Sequence, residues 1–143
     1  MDSLSVSAEI KNLDQVTDFV LQRPEIASCP KQIRLQLRLA IEEIFVNIAS
    51  YAYDPEIGPA EVRCEVLEGP LRVVIQFLDG GKPFDPLAKE DADTSEEALF
   101  SREGGLCILL VKESMDGVTY TYENGKNILT IEKNLTGPEG VCL

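Results

Sequence analysis

The sequence predicts an α+β two-layer sandwich: a mostly antiparallel sheet covered on one face by three helices. Three observations lead there. Apolar residues alternate with polar ones around residues 4–10, 62–66, 71–77 and 118–131, the period of half-buried strands. Three other stretches repeat their apolar residues at helical spacing. Two turn signals, Gly69-Pro70 and Asn124-Gly125, join strands in pairs, and strands joined by tight turns run antiparallel. At 143 residues the chain is predicted to form one domain over 1–143, long enough to bury a core.

Leu4, Val6, Ala8 and Ile10 alternate with Ser5, Ser7, Glu9 and Lys11, which predicts a first strand with one buried face. Asn12 then reads as a helix N-cap, with Gln15 three residues on to complete a capping box. Leu13, Val16 and Val20 supply that helix's apolar stripe and Pro24 stops it. The longest helical pattern runs from Pro30 to about Tyr53. Ile33, Leu37, Ala40, Ile41, Ile44 and Ile48 lie on one face, and Pro30 suits a first helical position. Glu43, Asn47 and Tyr51 follow one another at successive turns along its margin, and Asp54-Pro55 marks the exit.

Val62, Cys64 and Val66 alternate with acids and Arg63 in the next strand. After Gly69-Pro70, Leu71, Val73, Ile75 and Phe77 form the apolar face of a strand ending at Asp79. Periodicity then lapses over about 85–103, apart from a short Ala98-Leu99-Phe100 turn. This stretch carries seven acids against Lys89 and Arg102, and a loop of that length in a compact domain points to function or disorder. Gly104-Gly105 opens a helix to about Met115. Val118, Tyr120 and Tyr122 lead into Asn124-Gly125, a type I′ hairpin signal, with Leu129 and Ile131 inward on the return. Residues 136–143 read as a frayed tail.

Composition excludes several functions. The formal net charge of −12 argues against a nucleic-acid surface, which rewards clustered Lys and Arg. Histidine is absent, which removes imidazole catalysis, histidine metal ligation and histidine phosphorylation on this chain. Cys29, Cys64, Cys107 and Cys142 show no C-x-x-C spacing, so neither a zinc site nor a redox pair is indicated. No apolar run approaches the roughly 18 residues of a spanning helix. The opening MDSLSVSAEIK has neither a basic start nor an apolar signal core, so the expectation is a cytoplasmic protein with no membrane partner.

Three motifs carry chemistry. Glu43 and Asn47 sit one helical turn apart. An amide oxygen is a hard ligand for Mg²⁺, which leans mostly on substrate phosphates and few protein groups, and a neighbouring carboxylate can orient or deprotonate an attacking hydroxyl. Alone, the spacing is a weak signal, and solvated helix surface explains the pair better. Asp79 at a strand end accepts hydrogen bonds only, which suits the exocyclic amino group of adenine, and Gly81 lets the backbone approach a ring. A plain Asp-Gly turn explains that motif as well. Gly104-Gly105 exposes backbone N–H groups at a helix start, a natural phosphate site; a simple glycine hinge is its alternative.

The order of the three decides more than any one of them. E-x-x-x-N on a helix, then D-G-G-x-P-F-D-P, then G-G-L-x-I-x-L-V-K resembles the three boxes of the Bergerat ATP-binding fold. The branch it looks most like is the anti-sigma-factor serine/threonine-protein kinases, a histidine-kinase-like ATPase domain. Pro83-Phe84-Asp85-Pro86, and Ser114-Met115-Asp116-Gly117-Val118 after the last helix, fit that branch, and the similarity runs over about 5–135.

The resemblance implies that Glu43 is the general base and Asn47 the Mg²⁺ ligand. Asp79 binds adenine beside Gly81, and Gly104, Gly105 and Leu106 wrap the phosphates of ATP or ADP. It makes residues 85–103 the lid. It also implies a STAS-domain anti-anti-sigma protein as substrate, a sigma factor as second partner, and a homodimer. Two departures stand out: Tyr51 where the branch often has histidine, and Cys107 where its G-L-G pattern has glycine. With the acidic lid, they motivate an alternative, a nucleotide-gated protein-binding regulator with little transfer chemistry. The catalytic half of a histidine kinase is a poor third reading, because no helix pair precedes the first strand.

Overall fold

The computed structural model describes residues 1–53, 55–86 and 105–136. The elements are β1 (Asp2–Ser7), α1 (Leu13–Leu21), α2 (Pro24–Ala27), α3 (Lys31–Asn47), β2 (Pro59–Leu67), β3 (Arg72–Asp79), α4 (Gly105–Ser114), β4 (Gly117–Glu123) and β5 (Lys126–Asn134). The strands form one sheet in the order β1-β2-β3-β5-β4, and every pairing is antiparallel. Lid positions 87–103, with Lys89, Arg102 and the Ala98-Leu99-Phe100 turn, lie outside the described residues, as do Gly104 and the tail from 137 on.

Sheet and helices meet through one side of each strand. Val62, Cys64, Val73, Ile75, Phe77, Leu129 and Ile131 are buried in one cluster with Val16, Val20, Leu37, Ile41 and Phe45 from the helices. The alternate residues Glu61, Arg63, Glu65, Gln76 and Thr130 stay half-exposed, so the period of two separates a helix-covered face from an open one. On α3 the expected face is buried, at Ile33, Leu37, Ala40, Ile41 and Ile44, and Phe45 joins it. Asn124 and Gly125 both have positive φ, 53° and 77°, as a type I′ hairpin requires.

Four local expectations change. The first strand ends at Ser7, and Ile10 falls in a 3-10 turn (Ile10–Asn12) where it is 57% exposed. Asn12 occupies the N-cap of α1 without capping it. Its amide instead donates to the carbonyl and hydroxyl oxygens of Ser7, both at 2.9 Å. Pro24 does not stop α1, which ends at Leu21; it opens α2, an extra single turn that seats the fully buried Ile26. Proline suits that place because a first-turn N–H has no helical partner to lose. Finally, Pro30 precedes α3 as its N-cap residue instead of starting it.

Candidate functional site

The site is built around the end of β3. Val73, Ile75 and Phe77 point to the helical layer, and the same alternation carries Asp79 to that side, where it is 7% exposed. A buried carboxylate needs donors. Its Oδ1 accepts the Gly81 N–H at 2.9 Å and the Asn127 amide at 3.0 Å. Register explains the second bond, since Asp79 and Asn127 are opposite one another in the β3–β5 pairing. Among the described residues, Oδ2 receives no hydrogen bond.

Where α3 ends, the backbone continues as a wider π-helical turn (Ile48–Ala52). That turn presents the Ala52 carbonyl to the segment after β3, where it accepts the Lys82 N–H at 3.2 Å. The approach is so close that a Cβ on Gly81 would collide with the Ala52 backbone. Tyr53 adds a second tie: its hydroxyl accepts the Gly80 N–H at 2.7 Å and donates to Pro59 O at 2.5 Å. Burial raises the Tyr53 pKa, the Gly80 N–H opposes the rise, and the nearby Asp79 charge adds to it.

Between these elements lies a cavity of about 340 Å³, within the range of small-ligand pockets. Phe77 and Leu129 line it from the sheet, Ile44 and Ile48 from α3 and its extension, and Tyr51, Phe84 and Tyr120 add aromatic walls. The polar side chains in the walls include Asn47, Lys82 and Asn127. Asn47 makes no side-chain hydrogen bond among the described residues and is free to meet a ligand. Asn127 is the opposite case. Its amide also donates to Lys82 O at 2.8 Å, and its Oδ1 accepts the Phe84 N–H at 3.0 Å and the Tyr120 hydroxyl.

Of the expected site residues, Asn47 lines the cavity, whereas Asp79 and Gly81 lie behind its wall, against Asn127 and Ala52 respectively. Glu43 is half-exposed on α3 one turn before Asn47 and is not part of the wall. Gly105 opens α4, Leu106 follows it in the same helix, and α4 packs along α3. Two wall residues escaped the sequence reading. Asn127 lies in a strand far along the chain and only register reveals it. Lys82 sits inside the D-G-G-x-P motif, and it adds a positive charge to a molecule otherwise rich in acids. No group of three Cys, Asp or Glu side chains among the described residues could hold a metal. That donor set fits an ion such as Mg²⁺ only where substrate phosphates provide most ligands and Asn47 adds one.

Residues 6–133 match the histidine kinase-like ATPase domain family. The chain belongs to this family. Its relatives include the serine-protein kinase RsbW of Staphylococcus aureus strain MSSA476, 32% identical over 97 residues, 64% of this chain and 60% of the relative. The Staphylococcus epidermidis serine-protein kinase RsbW is 32% identical over 101 residues, 66% of this chain and 62% of that protein. The chain thus spans about 60% of the length of these curated relatives. The branch that the motif order resembled is the one these names carry. Among solved structures, the Acinetobacter baumannii histidine kinase AdeS superposes with a TM-score of 0.50 at 12% identity, covering 96% of this chain and 70% of that one. At that identity the likeness concerns the fold, and with the family match it makes the α+β plan a Bergerat fold. No described helix is long and apolar enough to cross a membrane.

Proposed function

We propose that this domain binds ATP and transfers its γ-phosphoryl group to a serine or threonine of a small STAS-domain partner, and that it also holds a sigma factor. The observation that carries the nucleotide part is the cavity whose walls include a free Asn47 amide and Asn127, which holds the Asp79 carboxylate behind the wall. In this reading Asp79 accepts a hydrogen bond from the adenine amino group through its open oxygen. Phe77, Leu129 and the aromatic walls exclude water from the base. Backbone N–H groups at Gly105 and Leu106, which open α4, and at Gly104 before them in the sequence meet the phosphates. Asn47 would hold Mg²⁺, which when bound neutralises charge on the transferring phosphates.

Glu43 carries the transfer step. Its carboxylate makes no ion pair or hydrogen bond among the described residues, so it can accept the proton of the attacking hydroxyl. The hydroxyl oxygen bonds to the γ-phosphorus, the bond to the bridging oxygen breaks, and ADP leaves. A cytoplasmic, homodimeric protein fits this role.

The second reading, a nucleotide-gated binder without useful transfer, draws support from Glu43 lying outside the cavity wall. Incubation with labelled ATP and a STAS-domain partner separates the two. Label appearing on the partner, dependent on Glu43, is the expected outcome. Tight ATP binding with no label would leave the binder as the better description.

A further inference from the structure

Among the described residues, Lys82 is the one charged side chain in the cavity wall. Its backbone is fixed from both sides. The N–H donates to Ala52 O at 3.2 Å, and the carbonyl accepts the Asn127 amide at 2.8 Å. Before it Gly81 lies tight against the Ala52 backbone, and after it Pro83 has a fixed φ. The main chain at Lys82 therefore stays at the wall, and the side chain alone is left to move. The residue is exposed and yet lines the cavity, which places it at the mouth. Its ammonium pairs with no carboxylate among the described residues.

The field around it is negative. The chain carries 25 acids against 13 bases. Burial raises the pKa of Tyr120 in the wall, a bond with the Phe84 backbone opposes the rise, and the charges of Asp85 and Asp79 add to it. Two carboxylates outside the lining thus act on the wall. A nucleotide carries its phosphates into this field, and like charges cost affinity and slow the encounter.

We propose that Lys82 is the anion selector of the cavity: its ammonium receives the phosphate end of the nucleotide and makes the site prefer a nucleoside diphosphate over the uncharged nucleoside. The proposal rests on the nucleotide reading above. A lysine ammonium suits the task, being a compact charge with three donors on a flexible stem. In a cavity of about 340 Å³ that stem reaches a bound group from the mouth while the backbone stays in place. The apolar walls, by contrast, hold the base equally well with or without phosphates.

Calorimetry without Mg²⁺ compares ADP with adenosine in the wild-type chain, Lys82→Gln and Lys82→Arg, at low salt and at about 0.5 M salt. The wild type is expected to bind ADP more tightly than adenosine, by a margin that shrinks as salt screens the ammonium. Lys82→Gln is expected to weaken ADP by about fivefold or more and to leave adenosine within about twofold, with a flatter salt dependence. Lys82→Arg keeps the charge, so its ADP affinity should stay within about twofold of the wild type. Lys31→Gln, at the start of α3, makes the same change in net charge away from the cavity and should bind ADP as the wild type does. Equal losses of ADP and adenosine in Lys82→Gln would make Lys82 a packing residue and overturn the proposal. Undiminished ADP binding there, a loss matched by Lys31→Gln, or a wild type that binds adenosine as tightly as ADP would overturn it too. A wild type that binds neither ligand defeats the nucleotide reading itself, whereas a wild-type ratio of the two in Lys82→Gln defeats only the role of Lys82.

Discussion

Asn47 and Glu43 are one turn apart on α3, yet only Asn47 reaches the cavity wall, and the two divide the proposed activity between them. Asn47→Ala removes the amide oxygen without disturbing the buried face of the helix. Mg²⁺-dependent ATP affinity is expected to drop by about tenfold or more, while metal-free ADP binding changes little. Calorimetry with and without Mg²⁺ reads this directly, and equal losses in both conditions would remove Asn47 as the metal ligand. Glu43→Gln keeps size and removes the base. Transfer to the partner is expected to slow by about a hundredfold or more at unchanged ATP affinity. Undiminished transfer would place the base elsewhere. The one-turn spacing was legible in the sequence, because a helical turn is a fixed geometric step; the two proposed roles came from the family resemblance and not from the spacing.

At the scale of elements, the site depends on how closely the segment after β3 approaches the π-helical turn after α3. Gly81 has no room for a side chain against the Ala52 backbone, and the Lys82 N–H bonds the same carbonyl. Gly81→Ala must therefore push two backbones apart, with a destabilisation of about 1–3 kcal/mol and loss of nucleotide binding. Urea unfolding with an ADP titration measures both; a variant of wild-type stability that binds ADP normally would show the approach to be dispensable. The glycine was visible in the sequence as a close-approach candidate, but its neighbour was not. The helical pattern ran smoothly to Tyr53 and gave no sign that α3 widens after Asn47. A π turn is a compromise with tertiary contacts, and an apolar period does not encode it.

For the whole molecule, the stability of the sheet–helix core carries a pH signature. Cys64 is fully buried between β1 and β3 in the sheet, and burial pushes its thiol from 9.0 up to about 11, against the lowering effect of Arg23. The thiol ionises in the unfolded chain above its ordinary pKa while the folded thiol stays neutral. Its contribution is thus complete below pH 9.0 and lost as pH rises toward 11, by roughly 2–3 kcal/mol. Burial also raises Tyr53 and Tyr120 from 10.0, with losses of the same sign at higher pH. Urea midpoints should fall between pH 8.5 and 11, and Cys64→Val should fall less over the same interval; parallel curves would assign the loss to the tyrosines. At this scale the sequence determined most of the plan. The strand alternation, the long amphipathic helix, the hairpin at Asn124-Gly125 and the order of the three motifs are local or periodic, and each is written in neighbouring residues. Tertiary structure alone decided that Asp79 faces Asn127 across 48 residues, that Lys82 lines the cavity, and that Glu43 stands outside its wall. Those facts follow from strand register and from the crossing of segments distant in the chain, and no local pattern of residues carries either.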